Sequence, residues 1–63
     1  MNKLKEIRES KDMTISRLSH LSGISRETIY RLEAVPEVKT ANTKTLSALA
    51  DALGVKISDF FMN

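Results

Sequence analysis

The chain contains no cysteine. Disulfides and thiolate metal sites are therefore excluded. It has one histidine, His20, and a lone imidazole builds no metal site. The acidic residues form no calcium-binding loop, so neither a metal nor a cofactor is expected. Glycine is scarce, and no glycine-rich phosphate loop is present. Serines are plentiful, but no base and orienting acid are arranged with them, so an enzyme is not expected. Long hydrophobic runs are missing too. No apolar stretch approaches the ~20 residues that span a bilayer, which argues against a membrane partner. The opening residues Met1 to Lys5 are charged and lack the apolar run of a signal peptide. Together with the lack of thiols, this leads us to expect a cytoplasmic protein. Aromatic residues are few (Tyr30, Phe60 and Phe61), and period-2 alternation is rare, so strands are not expected.

A length of 63 residues allows one domain, 1–63, with a small core. Without disulfide or metal, its stability must come from helix packing, from dimerisation, or from both. The formal net charge of +2 permits nucleic-acid binding without demanding it, and an ordinary solvated surface explains it equally well.

What is present is helical spacing with frequent local stops. A first helix is predicted from Asn2 or Lys3 to Lys11, with Leu4 and Ile7 inward. Thr14 is a good N-cap for a second helix, Ile15 to about Ser22, which Gly23 ends by taking a left-handed conformation. Ser25 caps a third helix, Arg26 to about Ala34, which Val35-Pro36 terminates, because the residue before proline is driven out of the helical region. Asn42 caps a fourth, Thr43 to Leu53, with Gly54 after it. Ser58 is expected to cap a last short helix, Asp59 to about Met62. Apolar residues before three of the caps suggest hydrophobic staples: Met13 on Leu18, Ile24 on Ile29 and Ile57 on Met62.

The most informative stretch runs from about Thr14 to Glu33. Two short helices separated by Ser22-Gly23-Ile24 meet at a steep angle, which is helix-turn-helix geometry. Leu18, Ile24, Ile29 and Leu32 lock them together. At ~100° per residue, Glu27 and Arg31 point most directly away from the inward residues Ile29 and Leu32. Arg26, Thr28 and Tyr30 flank them. Arginine suits guanine O6 and N7, glutamate the exocyclic amine of cytosine, and threonine a thymine methyl or a phosphate. A polar outward face alone is ordinary; its place after such a turn is what makes it specific.

The ordered set of these segments resembles the phage repressor and Cro group of helix-turn-helix domains, the Xre family. It includes Leu4-Lys5-Glu6-Ile7-Arg8 in the first helix, Leu18-Ser19 with Gly23-Ile24-Ser25-Arg26 at the motif, and Thr28 to Glu33 in the third helix. It closes on Leu46 to Val55 and Ile57 to Phe61. The resemblance implies an all-α, compact five-helix lambda-repressor-like domain. Helices 2 and 3 form its motif (about 14–33), and helix 3 (about 26–34) reads the major groove. It implies a transcriptional regulator of double-stranded DNA, a repressor first. Base contacts carry over to Arg26, Glu27, Thr28 and Arg31. Backbone contacts carry over to Lys39, Thr40, Asn42 and Lys44, with Tyr30 divided between phosphate contact and covering the side of the motif. A structural ion pair between Arg8 and Glu33 is implied as well.

Several readings stay open. Ile15 stands where the family often has a backbone-gripping glutamine, so that contact is absent or Ile15 packs. The stretch Ala34 to Val38 is longer, more apolar and more acidic than the family's usual turn. Val35 and Val38 pack under their own loop or join Phe61 and Met62 as a partner surface, as an antitoxin would need. Phe60 or Phe61 closes the core, while Phe61 and Met62 are the candidates for a homodimer seam. His20 is expected to be solvated.

Overall fold

The computed structural model describes residues 2–37 and 41–61. Its described helices are α1 (Leu4–Ser10), α2 (Ile15–Ser22), α3 (Arg26–Ala34) and α4 (Thr43–Leu53), closed by a 3-10 turn at Ile57–Phe60. No strand occurs among the described residues. None of these helices is long and apolar enough to cross a membrane.

Local chemistry fixes most helix starts. The Thr14 hydroxyl accepts the Arg17 N–H at 3.0 Å. Ser25 Oγ accepts the Thr28 N–H at 3.2 Å, and Asn42 Oδ1 the Thr45 N–H at 2.8 Å. Each such cap stabilises its helix by about 1 kcal/mol. Gly23 and Gly54 end α2 and α4 with φ of 76° and 71°, where a side chain would be strained.

The first helix is shorter than its periodicity suggests. Lys11 lies outside α1, because the chain turns there through Asp12 at φ 54°. The Asp12 N–H bonds the Glu9 carbonyl at 3.0 Å and the Met13 N–H bonds the Arg8 carbonyl at 3.2 Å. This is the paired closure of a helix end whose left-handed position glycine fits best. Asp12→Gly should therefore raise stability, by up to about 1 kcal/mol. A rise of several degrees in the melting temperature is the expected reading; a fall would show that the aspartate side chain outweighs its backbone cost.

The last element differs more. Ser58 does not cap a helix; it lies within the 3-10 turn, which begins at Ile57. The Asp59 carboxylate accepts the Lys56 N–H at 3.0 Å, while the Lys56 carbonyl accepts the Asp59 N–H at 3.0 Å. The carboxylate thus closes the start of the element at Lys56, two residues before Ser58. Met62, the expected staple partner of Ile57, lies outside the described residues.

The core draws on every element. Leu4 of α1, Leu18 of α2, and Ile29 and Leu32 of α3 are buried against Leu46, Leu49, Ala50 and Leu53 of α4, and Phe60 closes the stack. Met13, Ile15 and Ile24 pack against it half-buried. Ile15 thus settles as a packing residue. A fully buried Leu, Ile or Phe contributes about 1.5–3 kcal/mol.

Two polar devices hold α3 to α1. Arg8 Nε donates to Glu33 Oε2 at 2.6 Å and Nη2 to Oε1 at 3.2 Å. Its remaining nitrogen, Nη1, donates to the Met13 carbonyl at 2.7 Å, so one guanidinium joins α1, α3 and the turn between α1 and α2. The second device is Asn2. Its Nδ2 donates to the Leu32 and Val35 carbonyls at 2.7 and 2.6 Å, and its Oδ1 accepts the Leu4 N–H at 3.1 Å.

Candidate nucleic-acid interface

The turn between α2 and α3 is built by Gly23 and by Ser22, whose Oγ accepts the Ile24 N–H at 3.1 Å. Ile24 drops toward the core and Ser25 opens α3. With Ile29 and Leu32 buried, the helix period turns Arg26, Glu27, Tyr30 and Arg31 outward, and all four are exposed. Thr28 is half-buried beside them. Its Oγ1 accepts from Ser25 Oγ at 2.8 Å, which draws this hydroxyl back onto the helix start.

Arg26 leans the same way. Its Nη1 donates to Ser16 Oγ, in the first turn of α2, at 3.4 Å. The side chain therefore bridges the starts of both motif helices. Sequence reasoning missed Ser16, which has only its place in the first turn of α2 to mark it.

On the other flank, α3 meets the start of α4. Thr28, Arg31, Asn42 and Thr45 line a polar cleft of about 330 Å³ floored by Leu32 and Ala41. Lys44 is exposed in the first turn of α4. The first N–H groups of a helix have no intrahelical acceptor, and its dipole favours an anion there. Asn42 spends its side-chain oxygen as the cap and lines the cleft. Thr45 was also missed, although it follows Asn42 by three residues and so shares its side of the helix. Lys39 and Thr40 lie outside the described residues.

Tyr30 stands at the third edge. It is 62% exposed and lines a groove with Lys5, Ile15 and Ala34 beside the Arg8–Glu33 pair. The ion pair itself is turned inward, its side chains only 10% and 7% exposed. Hydrogen bonding to Glu33, opposed by burial and aided by that carboxylate's charge, holds the Arg8 guanidinium above its ordinary pKa. His20 is exposed on α2.

The arrangement can take a polyanion. Arg26, Arg31 and Lys44 are exposed cations of α3 and of the first turn of α4, with Glu27 exposed among them on α3. Among the described residues no cluster of His, Asp and Glu is arranged to hold a metal ion. Of the wider partner patch suggested by the sequence, Val35 and Phe61 are half-buried, and Val38 and Met62 lie outside the described residues. No curated protein matches the chain significantly. The family model for the Cro/C1-type HTH DNA-binding domain matches residues 3–62, and the chain belongs to this DNA-binding family.

Proposed function

We propose that this domain is a sequence-specific transcriptional regulator that lays α3 in the major groove of duplex DNA and acts as a repressor by occupying its operator. The observation that carries this is the exposed face of α3, which presents Arg26, Glu27 and Arg31, with Arg31 in a cleft beside the start of α4. Glu27 and Arg31 read base edges, and Thr28 contacts a base or phosphate from the cleft. Arg26 reads a base at the end of the helix nearest α2. Asn42 and Lys44, with Lys39 and Thr40 of the preceding segment, hold the phosphates, and Tyr30 donates to the backbone from the opposite edge. The motif spans about 14–33 within a single domain, and the protein works in the cytoplasm.

A protein partner or a second copy is the subordinate reading. Phe61, half-buried against the core, is the described residue that a homodimer would cover, with Met62 beyond it. Two copies would set their recognition helices about 34 Å apart on a pseudo-palindrome.

Selection of bound duplexes from a randomised pool tests these statements, with Glu27→Ala/Arg31→Ala as control. Enrichment of a motif that the control loses is expected, and its symmetry reports the number of copies. Arg31→Ala alone should cost about 1–3 kcal/mol on the selected site and relax the preference at one base pair. Normal binding by that variant would sink the assignment of the reading face. No enrichment by the wild type would favour a partner protein, as for an antitoxin.

A further inference from the structure

We propose that Asn2 is a positioning residue for DNA recognition: from ahead of α1, its carboxamide caps the C-terminal end of α3 and thereby fixes the reading helix and the segment that leaves it. This rests on the reading of α3 given above.

Helix ends leave carbonyls without intrahelical partners. Glycine satisfies this need at α2 and α4 through a left-handed residue whose N–H turns back onto the helix. The end of α3 has no such residue. Val35 is extended, with φ −81° and ψ 148°, as the following Pro36 requires. Among the described residues, Asn2 supplies side-chain donors there, at 2.7 Å to the Leu32 carbonyl and 2.6 Å to the Val35 carbonyl. Asn2 is itself anchored. Its Oδ1 holds the Leu4 N–H at 3.1 Å, and the adjacent Lys3 N–H bonds the Phe60 carbonyl at 3.1 Å.

The two carbonyls stand at a junction. Leu32 adjoins Arg31 and floors the cleft that Arg31 shares with Asn42. Val35 begins the connection that returns at Ala41 and leads to the Asn42 cap. One side chain thus holds the last turn of α3 and the first residue beyond it. Base readout tolerates displacements of about 0.5 Å at best, so releasing this end disturbs specific contacts more than diffuse phosphate attraction.

The test is the ratio of affinity for the selected duplex to affinity for an unrelated duplex of equal length. It is measured for the wild type, Asn2→Ala and Asn2→Gln at a temperature where circular dichroism shows each to be folded. Val55→Ala, trimmed at a half-buried residue packed against the core, is the destabilised control. Asn2→Ala should lower the ratio about tenfold, with Asn2→Gln between it and the wild type and Val55→Ala at the wild-type value. An unchanged ratio in Asn2→Ala, or an equal fall in Val55→Ala, would reduce Asn2 to a stabilising cap and overturn the proposal. Should Asn2→Ala not fold, the ratio for Asn2→Gln decides in the same sense. A wild type that does not discriminate between duplexes overturns the reading of α3 and, with it, this inference.

Discussion

Glu33→Ala should lower the folding free energy by about 3–5 kcal/mol, because it leaves a buried guanidinium without its counter-charge. The geometry argues for the upper part of that range. Arg8 meets the carboxylate through two nitrogens at 2.6 and 3.2 Å, and both side chains are nearly excluded from water. A domain of this length has about 3–9 kcal/mol of stability in all. Urea denaturation should therefore show a large part of the stability gone, and DNA binding weakened near physiological temperature with no interface residue altered. The complementary double variant Arg8→Met/Glu33→Leu should recover most of the stability, since replacing both charges with apolar groups removes the desolvation cost as well as the attraction. A loss below about 1 kcal/mol in Glu33→Ala would place the pair with exposed, screened salt bridges.

The pH dependence of this contact has a definite sign on the arginine side. A base whose pKa is raised by folding stabilises the native state wherever it is protonated, below its unfolded value. That contribution fades only as pH rises through the raised folded value. For Arg8, hydrogen-bonded to Glu33, that window lies above any pH at which the domain would be handled. Alkaline titration therefore leaves the pair intact from this side.

How much of this was legible in the sequence depended on how far apart the interacting residues lie. The bounds of α2, α3 and α4 followed from Thr14, Ser25 and Asn42, because each cap bonds an N–H three residues ahead and each stop is a neighbouring Gly or Pro. The exposure of Glu27 and Arg31 followed from the helical period once Ile29 and Leu32 were set inward. The end of α1 was overrun, because Asp12 gave no sign of taking a left-handed conformation. At the last element Asp59, rather than Ser58, organises the start, and the result is a 3-10 turn. Asn2 was read as a possible first residue of a helix. Its partners lie 30 and 33 positions away, and no local pattern points to them. The same is true of Ser16 and Arg26, ten positions apart and joined only by the motif's fold.

Phe60→Ala is the second large effect, again about 3–5 kcal/mol, and it reaches the interface by a different route. The ring is fully buried and is the largest of the fully buried side chains among the described residues, so its removal leaves a cavity that the small surrounding core cannot fill. The backbone is engaged as well, since the Phe60 carbonyl takes the Lys3 N–H at 3.1 Å. Loss of the ring should loosen that strand of contacts and, through Lys3, the Asn2 clamp on α3. Each kcal/mol moves the melting temperature of so small a domain by about 4–8 °C, so thermal denaturation should show a drop of tens of degrees. Phe61→Ala, half-buried at the rim, should lose far less. Phe60→Leu, which refills most of the volume, should cost only about 1 kcal/mol. The informative comparison is between Phe60→Ala and Glu33→Ala in the cold, where both refold in part. If the clamp transmits the damage, Phe60→Ala should bind its selected duplex with reduced discrimination even in the folded fraction. Wild-type discrimination there would mean that α3 is held by its own core residues and by Arg8, independently of the C-terminal turn.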